Sequence, residues 1–360
     1  APMMAKVPGL VNVFLKAPWM QRAIEKTVGY VDTPILSQPP LTQRVEAKVT
    51  QYNYDALRGL SETQKANTVL IVQDPFTSFY DASVVEDYVS LVSTLGFTPV
   101  LLPFKPNGKP EHVKGFLSRF AKTAKNTAEF LNEVASLNIP MVGVDASLVL
   151  CYRDEYVKTL GEDRGDFHVL TVNEWLAMVP DSTFANVSKG AQQPLALLSH
   201  CTEKTAMPAS EQDWQAIFAK VGQPIDIVAV GCCGMAGTYG HEAEQKQKSL
   251  AIYGLSWEQA LKQYPQDAIM ATGYSCRSQV ARIEQFKPRH PLQCLLAVLQ
   301  QEAHIGDGKS QRLAISIETP LADMQLMHFG YIRQRKTFSR AAHTLPWYTA
   351  VHKYLTVGLK

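Results

Sequence analysis

The stretch IDIVAVGCCGMAGTYG, residues 225–240, decides the fold class. Its first six residues are mostly apolar and β-branched, which predicts a strand. A glycine-rich loop follows directly and contains the adjacent thiols of Cys232 and Cys233. An apolar strand that leads into such a loop is typical of parallel α/β sheets, whose ligand sites lie at the carboxyl ends of the strands.

Outward from this stretch, one order of elements occurs twice along the chain. In the first copy we predict strands at 68–73, 98–104 and 140–144, loops at 74–80 and 106–110, and helices at 82–94 and within 111–137. In the second copy we predict strands at 194–200, 225–230 and 268–272, loops at 201–210 and 231–240, and helices at 211–221 and within 242–263. Repetition of this kind suggests duplication. We therefore expect an α/β fold made of two pseudo-duplicated, Rossmann-like parallel-sheet units with an N-terminal arm.

The boundaries of these units divide the chain into four segments. Residues 1–66 are expected to form a connecting arm, because Pro34, Pro39 and Pro40 break its amphipathic pieces. The first half, residues 67–190, and the second half, residues 191–300, are the two α/β units. Residues 301–360 form a tail that is richer in Lys and Arg than in Asp and Glu. A partner-contacting tail and an extension without a recognisable fold both fit this composition.

Composition narrows the class of protein. With 46% hydrophobic residues and a formal charge of +2, the chain can bury a sizeable core and lacks a basic surface for nucleic acid. The longest apolar run, near residues 137–151, contains Asn138, Pro140 and Asp145, so we expect no transmembrane segment. No apolar signal core is visible near residue 1, which predicts a cytoplasmic protein. Peripheral attachment to a membrane is compatible with the same sequence.

The cysteines indicate the chemistry. Six are too few for a disulfide scaffold, and clustered cysteines in a reducing compartment more often bind metal or perform redox chemistry. Four of them follow predicted strands of the second half: Cys201, Cys232, Cys233 and Cys276. Because loops after parallel strands gather at one edge of the sheet, we expect these thiols to be neighbours. The first half offers Asp74 and Asp145 at its corresponding positions, so we expect a copy without metal ligands.

Four thiolates are the ligand set of a [4Fe–4S] cluster, in which each iron takes one protein sulfur. Gly234 and Gly237 would let the backbone approach the cluster and turn amide groups toward its sulfurs. Arg277 and Arg282 would raise the reduction potential of a cluster that they faced, although we favour a solvated helix face for both.

Zinc is the alternative metal, since four thiolates also suit a closed tetrahedral site. Structural zinc sites commonly use two Cys-x2–4-Cys knuckles, which this sequence lacks. The other two cysteines, Cys151 and Cys294, lie in apolar stretches, so we interpret them as core residues. His200 ends a predicted strand and is interpreted as an oriented core histidine.

Two motifs resemble a known family. The spacing Cys201-x30-Cys232-Cys233-Gly234-x41-Cys276 resembles the cysteine-rich CCG domain family. That family includes a component of heterodisulfide reductase and the iron–sulfur components of anaerobic glycerol-3-phosphate dehydrogenase and glycolate oxidase. The phrase ATGYSCRSQ at 271–279 is similar to the C-terminal part of FAD-linked oxidases of the D-lactate and D-2-hydroxyglutarate dehydrogenase type. The resemblance covers about residues 67–299.

The resemblance implies an iron–sulfur electron-transfer segment of a flavin-linked 2-hydroxy acid dehydrogenase. It implies that FAD lies on a separate module, that a ferredoxin-bearing module is a further partner, and that a downstream acceptor takes the electrons. The family's Cys-x-x-Cys is replaced by Gly273-x-x-Cys276 here, which favours a single cubane cluster over a five-cysteine non-cubane one. Two alternatives remain: a heterodisulfide or thiol reductase with the cluster as its active site, and a zinc-stabilised interaction module.

Overall fold

The computed structural model describes residues 2–184 and 193–306, with side-chain surroundings up to residue 300. Within these ranges the strands are β1 (Thr50–Gln51), β2 (Thr68–Val72), β3 (Thr98–Leu101), β4 (Met141–Gly143), β5 (Val169–Thr171), β6 (Leu195–Leu198), β7 (Ile225–Ile227) and β8 (Ile269–Ala271). The predictions for residues 307–360 lie outside the described residues.

The α-helices of the same ranges are α1 (Pro8–Lys16), α2 (Pro18–Val28), α3 (Leu41–Val45), α4 (Tyr54–Arg58), α5 (Glu62–Ala66), α6 (Pro75–Tyr80), α7 (Ala82–Thr94), α8 (Lys109–Val113), α9 (Leu117–Ala135), α10 (Ala146–Arg153), α11 (Glu155–Leu160), α12 (Val172–Met178), α13 (Cys201–Ala206), α14 (Ser210–Lys220), α15 (Lys246–Gly254), α16 (Trp257–Leu261), α17 (Tyr274–Glu284) and α18 (Pro291–Gly306). None of the helices described is both long enough and apolar enough to cross a membrane.

The strands form two parallel sheets, which confirms the predicted α/β fold of two Rossmann-like units. In the described residues the first sheet has the order β1-β3-β2-β4-β5 and the second the order β7-β6-β8. The order β3-β2-β4 corresponds to β7-β6-β8, because each half places its first strand in the middle and the next two on either side. Every residue of β2 is buried, as expected for a strand covered on both faces.

One hydrophobic core joins the two halves. Val69 of β2, Leu197 of β6 and Trp214 of α14 belong to the same cluster of buried side chains. Helix α18 packs against α7, and Gln293 Nε2 donates a hydrogen bond to Asp87 Oδ2 at 2.7 Å. Smaller cores lie within each half. The strand ends of both halves are therefore held in a fixed relation to each other.

The segment predicted as a connecting arm contacts both halves. Strand β1 pairs with β3 and so adds an edge strand to the first sheet. The Val31 N–H donates to the His241 carbonyl oxygen at 2.7 Å, and Asp32 forms an ion pair with Arg282 at 2.6 Å. These contacts fasten residues 31–32 beside the end of the glycine-rich loop.

Two segments that the sequence predicts as loops begin with short helices instead. Helix α6 occupies most of 74–80, and α13 occupies the first part of 201–210. Asp74 caps α6 by accepting hydrogen bonds from the Phe76 and Thr77 N–H groups at 2.7 and 2.8 Å. Helices of six residues are too short to show an apolar periodicity, so the sequence pattern does not reveal them.

Candidate metal centre

The four cysteines that follow the predicted strands lie together at the carboxyl edge of the second sheet. We call them the thiol site: Cys201, Cys232, Cys233 and Cys276. Cys201 begins α13, Cys276 is the third residue of α17, and the adjacent pair lies in the loop after β7. In each neighbouring pair one thiol is close enough to shift the pKa of the other, so the four form a row from Cys201 through Cys232 and Cys233 to Cys276. The structure brings these residues together, and their role as metal ligands stays a prediction.

The thiol site is buried on one side and open on the other. Cys233 and Cys276 are 2% and 1% exposed, whereas Cys201 and Cys232 are partly exposed. Hydrogen bonds with Cys201 and Cys233 lower the pKa of Cys232. Hydrogen bonding to Cys232, together with burial, raises the pKa of Cys201 and of Cys233. Cys232 is therefore the thiol of the set that loses its proton most readily, and ligation of a metal by all four would release their protons.

The glycine-rich loop approaches Cys232 with its backbone. The Gly234 N–H lies 3.3 Å from Cys232 Sγ and donates to it. Gly234 has φ +85°, and a Cβ there would lie 2.2 Å from the Ser249 carbonyl oxygen. Gly237 has φ +68° but has space around it, since a Cβ there would approach Val113 Cγ1 no closer than 3.7 Å. Position 234 thus needs glycine both for its positive φ and because no side chain would fit there, whereas position 237 needs glycine for its positive φ alone.

Polar side chains hold the two ends of this loop. Lys204 Nζ donates to the Val230 carbonyl oxygen at 2.5 Å, and Trp257 Nε1 donates to that of Gly231 at 3.0 Å. At the far end, Arg282 Nη1 donates to the Gly240 carbonyl oxygen at 2.7 Å. The backbone around Cys232 and Cys233 is therefore fixed independently of any bound metal.

Two arginines near the thiol site differ from the expectation. The prediction of a solvated helix face is wrong for Arg277, which is 1% exposed, and for Arg282, which is largely buried. Arg277 forms an ion pair with Asp81 of the first half at 3.0 Å and donates to the Thr272 carbonyl oxygen at 2.8 Å. Its partner lies 196 positions away in sequence, so local sequence could not reveal the pair.

The His200 ring packs directly against Gly273. A Cβ at Gly273 would lie 2.4 Å from His200 Cδ2. The His200 N–H donates to Thr272 Oγ1 at 3.0 Å, while its Nδ1 has no hydrogen-bond partner among the described residues. Burial lowers the pKa of His200. His200 is a buried histidine, as the sequence predicted, and its ring explains why residue 273 has no side chain.

Two buried carboxyl groups stand near the thiol site. Burial, together with the charge of Asp145, raises the pKa of Asp74 to about 7. Burial raises the pKa of Glu203 to about 7 as well, against hydrogen bonds from Ser210 and Thr272 that lower it. Through its hydrogen bond with Thr272, Glu203 links α13, which carries Cys201, to the end of β8.

The remaining cysteines lie in the core, as predicted. Cys151 and Cys294 are 0% and 1% exposed. Burial raises the pKa of Cys294 to about 11 and that of Cys151 further. Neither thiol belongs to the row that forms the thiol site.

The structure describes no ready-made site for a single metal ion. In the part of the chain that the structure describes, no group of three or more His, Cys, Asp or Glu side chains is arranged to hold a metal ion. A [4Fe–4S] cluster instead takes one thiolate at each of four irons. The four thiols of the thiol site match that number of ligands, and their binding of a cluster stays a prediction.

Comparison with known proteins places this geometry in context. No protein-family profile matches the chain. Over 309 residues it is 53% identical to D-2-hydroxyglutarate dehydrogenase from Escherichia coli (strain K12), a match that covers 83% of this chain and 29% of the relative. The chain is similar to a segment of that enzyme. The same enzyme from Pseudomonas putida (strain KT2440) is 39% identical over 305 residues, again with 83% and 29% covered.

The chain therefore spans less than a third of the length of these relatives. A more distant relative is matched over most of its own length. It is one of the subunits of anaerobic glycerol-3-phosphate dehydrogenase from Escherichia coli (strain K12), 22% identical over 317 residues, which cover 81% of this chain and 78% of the relative. A solved structure of a hypothetical protein from Helicobacter pylori covers 82% of the chain at 10% identity, with a TM-score of 0.41, too low to bear on function.

Proposed function

We propose that this chain is the iron–sulfur electron-transfer segment of a flavin-linked 2-hydroxy acid dehydrogenase of the D-2-hydroxyglutarate or D-lactate type. The placement of four neighbouring thiols at the carboxyl edge of the second sheet is the observation that carries the proposal. The similarity to D-2-hydroxyglutarate dehydrogenases supports the class of reaction. The resemblance of the cysteine spacing to CCG domains supports the kind of cofactor.

Cys201, Cys232, Cys233 and Cys276 would hold a [4Fe–4S] cluster, which when bound supplies one-electron transfer. Burial of Cys233 and Cys276 excludes water from one side of the site. Partial exposure of Cys201 and Cys232 leaves the other side within reach of a redox partner. The Gly234 N–H donates to Cys232 Sγ, and such a bond stabilises negative charge on the sulfur.

The proposal assigns the remaining chemistry to other parts of a larger enzyme. The chain spans 29% of the length of its dehydrogenase relatives, so we place FAD on a separate module rather than on this segment. A ferredoxin-bearing module would deliver electrons to the thiol site, and a downstream acceptor would remove them. The partly exposed Cys201 and Cys232 and the adjoining arm at residues 31–32 would form the face that these partners approach.

Metal analysis of the chain tests the cofactor. Anaerobic purification or reconstitution should give about four irons and four acid-labile sulfides per chain, with an EPR signal after reduction. Serine at any position of the thiol site should destroy or perturb that signal, whereas Cys294→Ser serves as the matched control and should retain iron. Stoichiometric zinc without acid-labile sulfide, under conditions that preserve clusters, would refute the cluster.

Electron entry tests the place of the segment in the reaction. We expect a reduced flavin-bearing partner to reduce the reconstituted chain rapidly in a stopped-flow experiment, and Cys233→Ser to block this step. The chain alone should not oxidise a 2-hydroxy acid. Substrate turnover without an added flavoprotein would contradict the relay and indicate a self-contained catalyst.

A thiol reductase is the second candidate, and one observation favours it. Cys232 has a lowered pKa, is partly exposed and lies beside Cys201, which are properties of a nucleophilic thiol next to a second thiol. Reduction of a small disulfide by the iron-free chain, abolished by Cys232→Ser and retained in Cys276→Ser, would support this alternative over electron relay.

A further inference from the structure

Helix α17, which carries Cys276 in its first turn, has no capping side chain of its own. Its N-cap residue is Gly273, and the His200 ring fills the space that a side chain there would need. The first N–H groups of an α-helix have no partner within the helix, and a buried helix end needs an acceptor from elsewhere. The start of α17 is buried, since Tyr274 and Cys276 are both buried.

Asp145 of the first half supplies that acceptor. Its Oδ2 accepts the Tyr274 N–H at 2.9 Å, across 129 positions of sequence. Its Oδ1 accepts the Ser147 N–H at 3.0 Å, so it also caps its own helix α10. Asp145 is 2% exposed, which keeps water from competing for these bonds. One carboxylate therefore caps two helices, one from each half.

The duplicated topology explains why a single residue can do this. Asp145 stands two positions after β4, and Gly273 stands two positions after β8, the corresponding strand of the second half. Both are N-cap residues. The first half keeps a capping side chain at this position, and the second half has none.

Two further contacts hold the first turn of α17 against the first half. The Tyr274 ring stacks on Phe76 of α6, with ring centroids 5.1 Å apart and planes 6° from parallel. One turn along the helix, Arg277 forms its buried ion pair with Asp81. The residues on either side of Cys276 are thus anchored to the half that contributes no thiol to the site.

We infer that the first half positions the thiol site, with Asp145 as the residue that fixes the first turn of α17 and hence the Cys276 thiol before any metal binds. The inference rests on the proposed function only for what the thiol would hold. It gives the first half, which supplies no thiol to the site, a structural role in that site.

Asp145→Ser is the sharpest test. Serine is itself a good N-cap, so α10 keeps a capping oxygen, while the shorter side chain no longer reaches Tyr274. In the metal-free chain, amide hydrogen exchange over residues 274–277 should become about fivefold faster or more, since a lost cap is worth about 1 kcal/mol. Alkylation of Cys276 should accelerate in the same variant, and less iron should be retained after reconstitution.

Asn53→Ala is the matched control. Asn53 caps α4 by accepting the Ala56 N–H at 3.0 Å and touches no residue of the thiol site in the described structure. This variant loses a cap but should leave exchange over residues 274–277 and iron retention unchanged.

Exchange over residues 274–277 that stays at the unaltered rate in Asp145→Ser would overturn the inference. So would acceleration spread equally over α10 and α17, which would report global loosening, or a loosened α17 with full iron retention. If the unaltered chain binds no iron, the proposed function fails, while exchange and Cys276 alkylation still decide whether Asp145 positions this thiol.

Discussion

We predict that Gly234→Ala destabilises the chain far more than Gly237→Ala does. Both glycines lie in the left-handed region, at φ +85° and +68°, where an alanine costs about 1–2 kcal/mol. At Gly234 the new Cβ would also lie 2.2 Å from the Ser249 carbonyl oxygen, an atom of helix α15 that cannot rotate away. Relieving that overlap requires a backbone shift, which adds about 1–3 kcal/mol.

The free energy of unfolding should therefore fall by about 2–5 kcal/mol in Gly234→Ala and by about 1–2 kcal/mol in Gly237→Ala. Urea denaturation of the metal-free chains, followed by circular dichroism, measures both losses. The shift at Gly234 would also move its N–H away from Cys232 Sγ, so this variant alone should retain less iron after reconstitution.

Equal losses of stability in the two variants would refute this reasoning, because conformation would then be the whole effect and the approach to Ser249 would be of no consequence. Equal retention of iron would likewise show that the position of the Gly234 amide does not matter to the thiol site.

Three further predictions concern other parts of the chain. Cys151→Ser buries a hydroxyl in an apolar core, so it should lower the free energy of unfolding, measured by urea denaturation, by about 1–3 kcal/mol. Its iron content should stay intact, and loss of iron would show that the first half contributes a ligand. Burial raises the pKa of Glu174, but Arg153 outweighs it and lowers that pKa from 4.5 to about 2. The ion pair therefore adds on the order of 3 kcal/mol to the free energy of unfolding above pH 4.5, and this contribution is lost as the pH falls toward 2. Glu174→Gln should flatten the pH dependence of stability over that range, and an unchanged slope would contradict the assignment. Gly273→Ala should lower the free energy of unfolding by about 1–3 kcal/mol, because its Cβ would overlap the His200 ring. Adding His200→Ala in a double variant should restore most of this loss. Additive losses would show that the two side chains do not clash.

The sequence predicts those features that depend on local pattern. The run of apolar residues in β2 and the helical period of α7 place both elements close to their observed bounds, because a strand buried on both faces is almost wholly apolar. The thiol site follows from the rule that loops after parallel strands share an edge. That rule needs only the order of elements, which the sequence contains.

Features that depend on pairing between distant segments could not be predicted. Strand β1 has two residues and exists only because β3 offers it an edge, so it shows no pattern of its own. Arg277 resembles a surface residue of an amphipathic helix until Asp81 is placed beside it. The role of Asp145 at the start of α17 likewise depends on how the two halves meet, which no spacing within either half expresses.

The packing of α18 on α7 has a consequence for synthesis on the ribosome. The hydrogen bond between Gln293 and Asp87 joins residues 206 positions apart, so α18 can pack on α7 only after nearly the whole described chain has been translated. At about 5–20 residues per second, the interval between the synthesis of α7 and that of α18 lasts about 10–40 seconds. Throughout it, the nascent first half exposes an apolar helix face to water, and a chaperone that binds such faces would have time to act.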